Sequence, residues 1–134
     1  YKVVNAARLE NIDVVSIPGA SSPISALSVS GLPSARFYFE GFLPKKKGRN
    51  KRFEFIMALD CSIIIFESPN RIKKTLNEIL DKLGNRVVSI SKELTKIHER
   101  VFFGYLESIL SDFPDKIKGE FVIIVASKKY KIDE

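Results

Sequence analysis

Two polar stretches and one basic run hold the side chains of this sequence that could do chemistry. Phe66-Glu67-Ser68-Pro69-Asn70-Arg71 follows the apolar run Ser62 to Phe66 and opens a helix-like pattern. The carboxyl end of a strand in an open α/β sheet is a common ligand site, and a helix N-terminus favours an anion. A purely structural role fits the same residues: Ser68 and Pro69 start a helix, Glu67 complements its dipole, and Arg71 pairs with a carboxylate. Lys92-Glu93-Leu94-Thr95-Lys96-Ile97-His98-Glu99 ends another strand-like run. Glu93 and Glu99 could position a nucleophile or hold hydroxyls, or simply pair with Lys92, Lys96 and Arg100. His98 is the only histidine, and nothing in the sequence supplies the partner of a general base.

The third stretch is basic. Six of the eight residues from Lys45 to Arg52 are Lys or Arg, enough to account for the formal net charge of +6. Lys45, Lys46, Lys47, Arg49, Lys51 and Arg52 are expected on a mobile loop delivered by the aromatic strand holding Phe37, Tyr38, Phe39 and Phe42. Such a loop attracts phosphates, and its pull weakens with salt. The alternative is a solvated surface turn. A pI near 9.5 favours an anionic partner, whether nucleic acid, an anionic membrane surface or an anionic metabolite.

Other classes are excluded by what the sequence lacks. Cys61 is the only cysteine, so no internal disulfide forms, and a reducing cytoplasm fits. No Cys, His and carboxylate cluster has metal-ligand spacing. Gly-x-Gly-x-x-Gly, Walker and Gly-x-Ser-x-Gly motifs are missing. No run is long and apolar enough for a membrane span or a signal peptide. The 134 residues suit one domain with a real core. They open inside a helix-like pattern without an initiator Met, as part of something longer.

These residues need elements to position them. A helical pattern ends near Glu10-Asn11, and Ile12 to Ile17 reads as a short β-branched strand stopped by Pro18-Gly19. Ser22 reads as the cap of a helix with Pro23 at its first position; Gly31 ends it. Arg36 to Phe42 is a strand, and Phe53 to Leu59 a short helix. Ser62 to Phe66 reads as a central strand buried on both faces. Ile72, Leu76, Ile79, Leu80 and Leu83 give one apolar helix face after a Ser68 cap, closed by Gly84. Strands follow at Val87 to Ser91 and Arg100 to Gly104, then a helix from Leu106 to Pro114 and a last strand, Phe121 to Ala126. The order predicts a mixed sheet with packed helices, α/β or α+β.

Read together, these motifs resemble a known family. Ile17-Pro18-Gly19-Ala20-Ser21-Ser22-Pro23, Ser30-Gly31-Leu32-Pro33, Phe37 to Pro44, Phe66 to Arg71, Lys92 to Lys96 and Lys118 to Val125 occur in the order and spacing of the tetrapyrrole methylase superfamily. Within it, the sequence is similar to the branch that methylates the ribose 2′-hydroxyl of a cytidine in small-subunit ribosomal RNA. Asn70 and Lys92 stand where that branch often has His and Arg.

The resemblance implies a homodimeric, cytoplasmic, two-domain enzyme that binds S-adenosylmethionine between its domains and acts on ribosomal RNA of the small subunit. Residues 1–17 would end the N-terminal domain and residues 18–134 form the C-terminal one. Pro18, Gly19, Ser21, Ser22, Phe66, Ser68, Thr95 and Glu120 would approach the cofactor. Glu67, Glu93 or Lys96 would hold or deprotonate the hydroxyl, so Glu67→Gln is expected to lower methyl transfer more than stability. Lys45 to Arg52 and Arg71 would contact RNA. The competing readings are a small-molecule methylase acting on a corrin precursor and a non-catalytic RNA-binding module.

Overall fold

The computed structural model describes residues 1–132. In chain order the elements are α1 (Lys2–Leu9), α2 (Ser22–Ser28), β1 (Phe37–Phe42), α3 (Arg49–Met57), β2 (Ser62–Glu67), α4 (Ile72–Leu83), β3 (Val87–Lys92), β4 (Arg100–Tyr105), α5 (Leu106–Ser111) and β5 (Phe121–Val125). From β1 onward the alternation of strands and helices is the one read from periodicity.

The strands form one mixed sheet in the order β1-β2-β5-β3-β4. β1 and β2 are parallel, joined by a crossover through α3. β5 runs antiparallel to both β2 and β3, and β3 and β4 form an antiparallel pair. The centre of the sheet is therefore β5, all five of whose residues are buried. β2 is buried on both faces as expected, but lies one place off centre.

Side chains alternate across the sheet and make two cores. Ile63, Ile65, Val88, Ile90, Ile123 and Val125 face Phe53 and Ile56 of α3, Ile72, Leu76 and Ile79 of α4, and Leu106 of α5. Ile64, Val87, Val122 and Ile124 face Ala26 and Leu27 of α2 and Leu32 just beyond it. The second cover is short, so aromatic side chains of both edge strands stay exposed: Phe37, Phe39 and Phe42 on β1, Phe103 and Tyr105 on β4.

β1 carries a bulge. Phe39 pairs with Ile64 but Gly41 pairs with Ile65, leaving Glu40 as the extra residue. Gly41 takes φ +72°, a left-handed conformation that a glycine adopts without a side-chain clash. In a regular strand of the same sequence Phe42 would face away from Phe37 and Phe39. With it, all three share the α2 face.

Four local expectations are corrected. Ile12 to Ile17 forms no strand and is exposed, because no neighbouring strand among the described residues takes its backbone groups. The cap of α2 is Ser21, in extended conformation, and Pro23 falls one place later in the first turn. α3 starts at Arg49, inside the basic run, after Gly48 at φ +83°. α4 starts at Ile72: the Ser68 carbonyl accepts from the Arg71 and Ile72 N–H groups, so Ser68 to Arg71 is a separate turn. Among the described residues no helix is long and apolar enough to cross a membrane.

Candidate functional site

A cavity of about 460 Å³ opens where the carboxyl ends of β1 and β2 meet the start of β5. Its apolar lining is Phe42, Phe66, Pro69, Leu94, Phe121 and Val122; Ser22, Glu67, Ser68 and Glu120 add polar groups. The volume and the mostly apolar lining suit a small organic ligand. Of the residues expected near a cofactor, Ser22, Phe66, Ser68 and Glu120 are brought together here. Pro18 and Gly19 are exposed on the unpaired segment before α2. Ser21 serves α2, its carbonyl accepting the Ser25 N–H at 2.8 Å. Thr95 is exposed beside the cavity, and its neighbour Leu94 supplies the lining.

Glu67 ends β2 with its side chain fully enclosed. Its Oε1 accepts the Ser68 N–H at 2.7 Å and the Arg71 guanidinium at 2.9 Å. Its Oε2 accepts the Thr75 hydroxyl at 2.7 Å. That hydroxyl in turn accepts from Arg49 Nη2 at 2.8 Å, while Arg49 Nε donates to Glu78 at 2.9 Å and Nη1 to the Pro44 carbonyl at 2.9 Å. These donors fix the orientation of the buried carboxylate. From its place in the cavity lining it also fastens the Ser68–Arg71 turn. Arg71 shares in the same fastening, with its side chain partly exposed.

Glu93, Lys96 and Glu120 form a second cluster at the rim. Glu93 Oε1 accepts the Glu120 N–H at 2.8 Å and Lys96 Nζ at 3.1 Å; Lys96 Nζ also reaches Glu120 Oε2 at 2.9 Å. The Glu120 N–H, then the Lys96 ammonium, holds the Glu93 carboxyl below its ordinary range. Glu120, then Glu93, raises Lys96 above the ordinary lysine range. Both stay charged at neutral pH, so Lys96 acts here as a fixed cation and Glu93 as a weak base. The turn after β3 is strained to place them: Glu93 and Thr95 have φ +51° and +67°. Gly119 packs against it, at φ +111°, where a Cβ would lie 2.6 Å from Glu93 Cγ.

The basic run divides. Lys45, Lys46, Lys47 and Lys51 are exposed and, among the described residues, have no carboxylate within ion-pair distance. Arg49 is buried in the Thr75–Glu78 network. Arg52 donates to Glu40 and to the Tyr38 hydroxyl, each at 2.8 Å, and lies 4.7 Å over the Phe55 ring. Those hydrogen bonds, Glu40 first, raise its pKa. Both arginines fail as free loop cations because helix α3 turns them toward β1 and α4.

Sequence reasoning missed Phe42, Pro69, Leu94, Phe121 and Val122 as lining. The signal for Phe42 was Gly41, whose bulge decides the face on which Phe42 lies. Leu94 lies between two residues whose strain is invisible in their types.

Residues 1–110 match the family described as Tetrapyrrole (Corrin/Porphyrin) Methylases. A ribosomal RNA small subunit methyltransferase I from Halalkalibacterium halodurans is 43% identical over 135 residues, covering 99% of this chain and 47% of that protein. The chain thus spans about half the length of that curated relative. A crystal structure of diphthine synthase superposes with TM-score 0.67 at 16% identity, covering 97% of this chain and 55% of the other. Uroporphyrin-III C-methyl transferase from Thermus thermophilus, complexed with S-adenyl homocysteine, superposes with TM-score 0.54 at 16% identity, covering 92% and 57%. These two likenesses concern the fold. With the family match running through the helices and strands from α1 to β4 and into α5, the chain belongs to the tetrapyrrole methylase family.

Proposed function

We propose that this chain is the C-terminal part of a methyltransferase that uses S-adenosylmethionine to methylate the ribose 2′-hydroxyl of a cytidine in small-subunit ribosomal RNA. The observation that carries the reading is the juxtaposition of the apolar cavity with exposed lysines that begin three residues after its lining residue Phe42. The 43% identity to a ribosomal RNA small subunit methyltransferase supports RNA over a small tetrapyrrole as substrate.

The cavity fits the cofactor. Its volume of about 460 Å³ lies in the range of small-ligand sites. Phe66, Leu94 and Val122 would hold the adenine by apolar contact, and Ser22, Ser68 and Glu120 would meet polar groups. When bound, the cofactor supplies a sulfonium methyl group for transfer to an oxygen. The protein's part is mainly to hold and align. Glu67 fixes the Ser68–Arg71 turn from beneath. The Glu93–Lys96–Glu120 cluster fixes the opposite rim and presents an ammonium to an oxygen-rich substrate. Phe42 and Leu94 keep water from the apolar wall. Lys45, Lys46, Lys47 and Lys51 draw in the phosphate backbone.

The rest of the reading follows from this assignment. Residues 1–17 belong to the end of a preceding domain and 18–134 to the C-terminal domain. The assembly is a homodimer, and its RNA substrate places it in the cytoplasm. The test is methyl transfer by the full-length protein from labelled S-adenosylmethionine to small ribosomal subunits, beside a free tetrapyrrole. Label in the RNA, mapped to a ribose of one cytidine, is the expected result. Label in the tetrapyrrole alone, or in neither, overturns the reading.

A further inference from the structure

We propose that Phe39 and Phe42, packed on Phe66 at the mouth of the cavity and followed by the lysine run, form a stacking platform for an unpaired base of single-stranded RNA. The inference rests on the RNA reading above and adds to it a base-binding subsite at the mouth of the cofactor cavity, made by the outward faces of Phe39 and Phe42.

The alignment of the rings is built into the backbone. The bulge at Glu40-Gly41 puts Phe42 on the same sheet face as Phe39. Phe66, their neighbour on β2, meets both edge-to-face, with ring centroids 5.1 Å from Phe39 and 5.5 Å from Phe42. The three rings brace one another, yet Phe39 remains 47% exposed and Phe42 61% exposed. Aromatic rings left this open on a braced edge offer π-surface to another flat group.

Charge decides which flat group. Leu43, next in the chain, is 1% exposed and pins the backbone, so the exposed Lys45, Lys46 and Lys47 start from a fixed point. Lys45 lies three positions after Phe42, at most about 10 Å of extended chain. No carboxylate among the described residues pairs with these lysines. A base on the rings and its phosphates on the lysines are thus held at once. Aromatic platforms beside a basic track bind single strands through any base, since every base has a π-face. A second protein surface would need acidic groups placed against the lysines and apolar groups against the rings.

The test uses the full-length protein and a labelled single-stranded RNA of about twelve nucleotides carrying 2-aminopurine. Phe42→Ala and Phe39→Ala are each expected to weaken binding on the order of tenfold, with the slope against salt unchanged. Phe42→Trp should keep the affinity and quench the 2-aminopurine by contact. Replacing Lys45, Lys46 and Lys47 together by Ala should instead flatten the salt slope by about two units. Equal losses in Phe42→Ala and Phe42→Trp, or affinity within twofold of the parent in both alanine variants, overturn the platform. So does loss of a dimer in light scattering with unchanged RNA affinity, which assigns the rings to a second copy. If the parent transfers no methyl group to RNA yet ring-dependent binding persists, the enzyme reading fails and the platform stands.

Discussion

Glu67 shows how far one residue's role depends on neighbours distant in the chain. Its place after a buried strand and before Ser-Pro marks it as a site residue, and Arg71 four positions on is a legible partner. Thr75 and Arg49 are not, since one lies two helical turns away and the other sits in a run that reads as a solvated loop. Their hydrogen bonds give Glu67 a positioning part that the sequence does not announce. Glu67→Gln should therefore cost about 2–3 kcal/mol in urea denaturation, and Thr75→Val about 1–2 kcal/mol. Unchanged stability in Glu67→Gln would return the residue to the substrate. Glu93 carries a pH signature. Its folded-state pKa lies below the ordinary value, so its contribution is present above about pH 4.3 and is lost as pH falls through the lower folded value. Lys96 is shifted upward, so its contribution is whole below about pH 10.4 and is lost only above that. The Glu120 amide should exchange slowly across the range between and lose protection in acid. Protection that is constant down to pH 2 would contradict the hydrogen bond to Glu93.

At the scale of elements, the sequence was most readable where burial imposes a period. α4 shows one apolar face and β5 one apolar run; β5 forms within one residue of its expected ends, and α4 ends at Leu83 as expected but starts three residues later than Pro69. α3 was less readable, because Arg49, Lys51 and Arg52 mask a helix whose buried contacts are Phe53, Ile56 and Arg49 itself. Ile12 to Ile17 has strand composition but no partner to pair with, and pairing makes a strand. The site loops were least legible, since their conformation depends on strain and close contact. Gly119 is the sharpest case. Gly119→Ala places a Cβ against Glu93 on a backbone at φ +111°, so it should cost about 1–3 kcal/mol and displace the Glu93–Lys96 turn. A crystal structure of the variant with that turn unmoved would refute this packing.

Over the whole molecule, the fold class was legible and the order of strands was not. Nothing in a run of apolar residues says which neighbours it will have, and the last strand took the centre. The cavity lies at the strand ends of this sheet, and the chain spans about half the length of the curated relative it matches. The 134-residue chain alone should bind S-adenosylmethionine far more weakly than the full-length protein, because one wall buries too little of the ligand. Calorimetry on both forms checks this; equal micromolar binding would relocate the cofactor site.

The central position of β5 sets the timing of assembly on the ribosome. β1 with β2, and β3 with β4, are local pairs that can form as they emerge. The edges of β2 and β3 then stay bare, because β5, which joins the two pairs among the described residues, follows both in the chain. Until Phe121 to Val125 can pair, Ile63, Ile64, Ile65 and Ile90 lack the neighbour strand that covers them, and transiently exposed apolar surface of this kind is prone to aggregate. A premature stop just before Phe121 would not shorten this protein by one strand; it would leave two pieces of a sheet with nothing between them.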